Sequence, residues 1–330
     1  MKKFLRVIGK IFATLILLGV IATLVAVWAY RDIPAEVLEK KYANSASRFM
    51  NVAGVRVHYR DEGQPDGPAI VLLHANFASL LGWDPWVEAL QDKYRVIRFD
   101  MTSHGLTGPD SSGDYTMPRT IEIAEKFIAA MNLDKFTFAG TSMGGTVAIH
   151  YTSRHPERIN NLILLSPGSL EGREQKKRGD VPDSAYILKY IMPRAIPEFM
   201  LSTGVADAEN LDQTLVNRWY DLWRREGQRE AQLDRLRQYK PGDLESVLAN
   251  IETPVLLLWG EENTTAKFEQ AEEFLELLEN ASSIDFISYP GVGHMAVQEA
   301  GAEIAIDVRA YLEGSLDPSY RITYGDHREP

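Results

Sequence analysis

The chain has 330 residues, 45% hydrophobic and 25% charged, a balance that fits one large globular domain with an insertion or two modest domains, and excludes a disordered or fibrous chain. Its net charge of -11 argues against nucleic acid as a partner, since phosphate recognition needs clustered Lys and Arg. The absence of cysteine excludes disulfides, thiolate metal sites and a cysteine nucleophile.

In chain order, residues 1–10 carry Lys2, Lys3, Arg6 and Lys10, and residues 11–30, IFATLILLGVIATLVAVWAY, carry no formal charge. Twenty helical residues span about 30 Å, the thickness of a bilayer's hydrocarbon core. Trp28 and Tyr30 stand at the far end, where amphipathic aromatics favour the interface. The expectation is a cytoplasmic basic segment (1–10) and a transmembrane signal anchor (11–30), with everything after Arg31 on the extracytoplasmic side. A cleaved signal peptide is the rival reading, because VWA before Tyr30 suits a small-residue cleavage rule, but its apolar stretch usually runs only about 7–15 residues. A buried core helix fits poorly, since the stretch has no polar face. Residues 1–31 carry five basic groups and no acid, which leaves the rest of the chain at -16. The anchor, not a basic surface, would hold that body at the membrane.

Residues 31–50 are polar and charged and read as a juxtamembrane spacer with one helix. Apolar runs follow at 55–60, 69–75, 94–100, 135–140, 161–166, 254–260 and 283–290. From 69 onwards most are near-continuous, as strands buried on both faces of a parallel sheet should be. Helical patterns separate them at 83–92, 118–132, 144–154 and 267–280, so the expectation is an open, mostly parallel, doubly wound α/β sheet. Residues 51–168 and 251–314 form its two parts. Between them, 169–250 lacks a clear strand and reads as a helical cap. There Leu215, Trp219 and Leu222 recur at helical spacing with Trp223 alongside, either packing cap on core or lining a substrate pocket. The tail, 315–330, is polar and is expected to be ordered only in part.

Gly140-Thr141-Ser142-Met143-Gly144 places a serine in a G-x-S-x-G pattern between an apparent strand and an apparent helix. A sharp strand-to-helix turn lifts such a serine above the sheet, and the glycines let neighbouring backbone approach. The following helix aims its first N–H groups at charge that develops there. Ser142 is therefore the candidate nucleophile, and it needs a base. His58, His74, His104, His150, His155 and His327 read as packing or local hydrogen-bonding residues. His294 lies in YPGVGHM, after the last core strand and at the sheet's carboxyl edge, where ligand and catalytic groups of open α/β sheets gather. It is the candidate general base. Asp100 ends its strand and reads as the holder of the loop that follows. No phosphate-cradling motif and no metal-ligand spacing occurs, so neither a cofactor nor a metal is expected.

The motifs LLHANF, GTSMGG, LLLWGEEN and GVGHM, in this order, resemble the α/β-hydrolase superfamily in its helical-cap branch, over roughly residues 51–312. The resemblance implies a serine hydrolase acting on a small, partly apolar carboxylic ester through an acyl-enzyme, with an oxyanion hole formed by the backbone N–H groups of Met143 and Asn76. A carbon–carbon bond hydrolase and a perhydrolase share this machinery, and fold does not fix substrate. Two departures stand out. His74-Ala75-Asn76 replaces the usual His-Gly pair; the asparagine resembles haloalkane dehalogenases, whose aspartate nucleophile Ser142 is not. Asn263 occupies the position where the branch usually places its acid. Three readings follow: Glu262 or Glu261 supplies the carboxylate; the Asn263 oxygen accepts from the ring N–H and orients His294; or the site is impaired and the chain is a binding protein.

Overall fold

The computed structural model describes residues 2–168, 170, 181–209 and 211–322. Helix α1 (Lys2–Ala29) stands apart from the body and is exposed along its length. The segment read as a spacer is built into the body. Asp32 receives Arg229 at 2.6 Å and the Gly227 N–H at 3.1 Å, and Ile33 N–H donates to Arg224 O. Helix α2 (Ala35–Tyr42) buries Leu38. Strand β1 (Ser47–Val52) begins inside the expected spacer and pairs antiparallel with β2 (Val55–Gly63). Its half-buried edge position leaves it without the apolar run that marks the inner strands.

Those inner strands are β3 (Ala69–Leu73), β4 (Arg95–Phe99), β5 (Phe136–Thr141), β6 (Ile159–Leu165), β7 (Val255–Gly260) and β8 (Ile284–Tyr289). With β9 (Arg321–Ile322) they form one sheet ordered β1-β2-β4-β3-β5-β6-β7-β8-β9. From β4 to β8 all pairings are parallel, and β2 and β9 join them antiparallel. Alternate residues serve two cores. Val71 and Leu73, with Val255 and Leu257, pack on one face; Ile70 and Leu72, with Leu256 and Leu258, pack on the other. Two buried faces explain why these segments read as continuous apolar runs.

Helices α3 (Asp84–Leu90), α4 (Met117–Ala130) and α5 (Met143–Arg154) cross between successive strands. Between β6 and β7 come a 3-10 turn (Asp183–Lys189), α6 (Ala195–Ser202), α7 (Gln213–Trp223), α8 (Gln228–Gln238) and α9 (Leu244–Leu248). The charged stretch 171–180, assigned to the cap, lies outside the described residues. Helix α9 falls within the expected cap range, yet Leu244 and Leu248 pack into the core beneath α5. Helices α10 (Glu269–Leu277), α11 (Ala296–Glu299) and α12 (Gly301–Leu312) complete the body. Part of the expected tail is ordered as β9 on the edge of β8; its remainder, with His327, lies outside the described residues.

The cap closes over the carboxyl edge of the sheet. Leu201, Leu215, Val216, Trp219 and Trp223 pack against Ala75, Ala78 and Met295. The tryptophans thus join cap to core at the loops that carry the candidate site.

Candidate active site

Ser142 follows the fully buried strand β5 and starts α5 with φ 49° and ψ -121°, a left-handed backbone that costs a non-glycine residue about 1–3 kcal/mol. The neighbouring glycines let the turn fit. A Cβ on Gly144 would collide with the Leu73 carbonyl, and one on Gly140 with the Gly144 carbonyl. The hydroxyl is only half-buried, as is the His294 ring.

His294 comes from the loop between β8 and α11. The loop after β7 lies beside it, with Glu262 N–H donating to Val292 O at 3.0 Å. Ser142 Oγ is 3.1 Å from His294 Nε2, and Asn263 Nδ2 is 3.1 Å from His294 Nδ1. The structure therefore brings together Ser142, His294 and Asn263.

The orientation of the Asn263 amide reverses one expectation. Asn263 is buried, and its Oδ1 accepts the N–H groups of Thr265 at 3.0 Å and Ala266 at 2.8 Å. Turning the amide over would set its NH2 against two backbone donors, each left unsatisfied in a buried place. The NH2 group therefore faces the ring. Nδ1 must accept, so the neutral imidazole carries its proton on Nε2 and presents an N–H to Ser142. The asparagine oxygen does not receive the ring proton.

Neither glutamate takes its place in the described contacts. Glu261 accepts from Ser288 Oγ at 2.7 Å, and Glu262 is exposed and accepts from Gly291 N–H at 3.3 Å. Glu299 accepts the N–H groups of Gly293 and Ala206, and burial raises its carboxyl above the ordinary range.

Met143 and Asn76 N–H groups have no partner in the chain among the described residues, as an oxyanion hole requires. The loop that carries Asn76 is clamped from both sides at Phe77. Its N–H donates to His104 Nε2 at 2.9 Å, and its carbonyl accepts from Trp223 Nε1 at 3.0 Å. His104 Nδ1–H donates to Thr102 O at 2.8 Å. His74 repeats the device: Nδ1–H donates to Ala75 O at 2.7 Å, and Nε2 accepts the Met101 N–H at 3.0 Å. Burial lowers the proton affinity of both rings and favours their neutral forms, and the nearby Arg235 guanidinium pushes both the same way.

Asp100 holds this framework together, accepting from His58 Nδ1 at 2.7 Å, Leu80 N–H at 2.7 Å and Leu106 N–H at 2.9 Å. Burial alone would raise its carboxyl, but the hydrogen bond from His58, with that from the Leu80 N–H, holds it below the usual range. Arg235, on α8, is a buried residue that sequence reasoning missed. It bonds Ser103 Oγ at 2.8 Å, Thr120 Oγ1 at 3.1 Å and Thr102 O at 2.8 Å, and approaches Met143 Sδ at 4.0 Å. Its signal was a polar stripe, Gln228, Gln232 and Arg235, at i, i+4 and i+7, all buried against the core. Among the described residues, no group of His, Asp and Glu side chains is arranged to hold a metal ion.

The sheet order, the elbow and the capped site are those of an α/β hydrolase. Residues 68–300 match the family model of the alpha/beta hydrolase fold, and the chain belongs to that family. It is 27% identical over 244 residues to YfhM of Bacillus subtilis, an AB hydrolase superfamily protein, covering 68% of this chain and 84% of the relative. A serine hydrolase involved in carbazole degradation superposes with TM-score 0.68 at 25% identity, over 81% of this chain and 98% of its own. A bacterial membrane phospholipase A superposes with TM-score 0.68 at 21% identity, over 96% of this chain and 99% of its own.

Proposed function

We propose that the chain is a serine hydrolase that cleaves a small, partly apolar carboxylic ester through an acyl-enzyme. The observation that carries this reading is the 3.1 Å approach of Ser142 Oγ to His294 Nε2 at a strained elbow. Ser142 Oγ attacks the carbonyl carbon while its proton passes to His294 Nε2. The oxygen that becomes negative is received by the Met143 and Asn76 N–H groups. His294 then protonates the departing alcohol, and water, deprotonated by the same nitrogen, releases the acid. Trp219, Trp223 and Leu215 of the cap, packed with Met295 of the His294 loop, give the site an apolar neighbourhood that suits a partly apolar acyl or alkyl group.

The first step needs an imidazole with its proton on Nδ1, and the Asn263 NH2 group opposes that tautomer. Turnover therefore proceeds through a minor form of His294 and is slow. The amide orientation also favours a second reading, a binding protein that kept the fold and lost turnover. Hydrolysis of p-nitrophenyl butyrate by the full chain, beside Ser142→Ala, separates them. Slow turnover abolished by the substitution supports the hydrolase; turnover at background in both supports the binding protein.

The α1 segment serves in this reading as a single-pass anchor, with the basic N-terminus in the cytoplasm and the catalytic domain outside it. The full-length likeness to a membrane phospholipase A makes a lipid acyl ester the substrate to try after the short ester.

A further inference from the structure

Between the end of α1 and the cap lies an open crevice of about 370 Å³, a volume within the range of small-ligand clefts. Its walls combine Trp28 from the last turn of α1, Arg31, Ile33 and Val37 from the segment that follows, and Arg224 just past the end of α7. Hydrogen bonds fix this junction to the body. Arg224 Nη2 donates to Ala29 O at 3.3 Å and to Arg31 O at 2.8 Å, and the Ile33 N–H donates to Arg224 O at 2.6 Å. Trp28 and Val37 are exposed apolar side chains.

Two guanidinium groups line the crevice, and among the described residues neither has a carboxylate within ion-pair distance. The acid on the wall, Asp32, is already bonded by Arg229 at 2.6 Å and by the Gly227 N–H at 3.1 Å. Arg31 uses one donor on Trp28 O, at 3.4 Å, and its guanidinium lies 4.7 Å from the centroid of the Trp28 ring. Arg224 Nε is buried without a partner. Trp28 and Ala29 close the helix that is long and apolar enough to cross a bilayer, so these charges stand where hydrocarbon gives way to headgroups. Leu24, exposed and one turn before Trp28, continues the same face of α1 into the apolar stretch. Planar cations without a counter-charge, set above an apolar face at this depth, complement a phosphodiester with acyl chains beneath it. General attraction does not explain such a preference, because the body beyond Arg31 carries -16 and is repelled by anionic surfaces.

We propose that the crevice between α1 and the corner joining α7 to α8 binds one anionic glycerophospholipid of the surrounding leaflet. Arg31 and Arg224 hold its phosphate, and Val37, Trp28 and Leu24 lie along its glycerol and chains. The bound lipid keeps the cap's α7–α8 corner at the level of the headgroups. The inference rests on α1 spanning a bilayer, and is independent of the chemistry at Ser142.

Native mass spectrometry of the full chain in detergent, titrated with dioleoylphosphatidylglycerol and with dioleoylglycerol, which lacks the phosphate, tests the site. Phosphatidylglycerol is expected to bind at least about 10-fold more tightly, as charge-assisted bonds from arginine to phosphate require. Arg31→Gln, at an exposed side chain, is expected to lower that preference at least about 3-fold, and Arg31→Gln with Arg224→Gln to abolish it. Lys3→Gln with Lys10→Gln, towards the other end of α1, is expected to leave it intact. Equal binding of the two lipids by the unsubstituted chain overturns the proposal without recourse to a variant. So does a preference that survives the paired arginine substitutions or is lost with the lysines. Inorganic phosphate in large excess is expected to leave the lipid bound; displacement by it assigns the crevice to a free anion and overturns the lipid. Alkaline carbonate extraction of membranes reads the anchor separately. Release of the chain removes the anchor reading and this site with it, whereas a retained chain without the lipid preference removes the site alone.

Discussion

Asn263→Asp is expected to raise ester turnover. The new Oδ1 keeps the N–H groups of Thr265 and Ala266, so the loop is undisturbed. The second oxygen replaces an NH2 group 3.1 Å from His294 Nδ1 and accepts the ring proton there, which frees Nε2 to take the proton of Ser142. The carboxylate also stabilises the imidazolium that forms as Ser142 attacks. In serine proteases the converse exchange, which imposes the wrong tautomer, lowers kcat about 10⁴-fold, or roughly 5.5 kcal/mol of barrier. A gain of about 10³- to 10⁴-fold in kcat for p-nitrophenyl butyrate, with KM changed much less, is therefore expected. The assay compares initial rates of the full chain and the variant at pH 8 at equal active-site concentration. An unchanged or lower kcat in a folded variant refutes the tautomer argument, since it means that His294 is already oriented by another acceptor.

Trp223→Phe removes the donor that holds the Phe77 carbonyl and loosens the loop that presents the Asn76 N–H; kcat is expected to fall about 10-fold, with a smaller change in KM. Equal kinetics would detach that clamp from the oxyanion hole. His74 and His104 are neutral when folded, with proton affinities lowered by burial, while the unfolded chain protonates them below about pH 6.5. A lowered folded value means that their contribution is fully present above that pH and is lost as pH falls through the window beneath it. Each can add a slope of up to about 1.4 kcal/mol per pH unit there, so melting temperatures at pH 7.5 and 5.5 should differ by several degrees, and His104→Gln should flatten the difference. No pH slope would contradict the neutral assignments. Because the chain has no cysteine, a single cysteine in place of Ser319 reports topology in intact cells. An impermeant maleimide is expected to label it, and labelling only after lysis would reverse the proposed orientation.

The sheet was legible because its inner strands are buried on both faces. Val71 and Leu73 serve one core and Ile70 and Leu72 the other, so the run itself announces the strand. The edge strand β1 was not legible, since SRFMNV alternates in burial and its pairing with β2 depends on a turn. Ser142 and His294 were visible because each stands in a glycine-bracketed turn at an element boundary. The meaning of Asn263 was not, because it turns on the directions of two backbone N–H groups, from Thr265 and Ala266, which only the folded loop fixes. Arg235 was hidden for a related reason: a helical stripe of polar residues looks solvated until α8 is seen facing Ser103 and Thr120.

The central claim is that Ser142 is a nucleophile served by His294. Incubation of the full chain with a fluorophosphonate, followed by peptide mass mapping, tests it most directly. The account predicts one adduct, on the peptide containing Ser142, formed slowly in the unsubstituted chain and faster in Asn263→Asp. An adduct on another residue, or none in either protein after prolonged incubation, would contradict it.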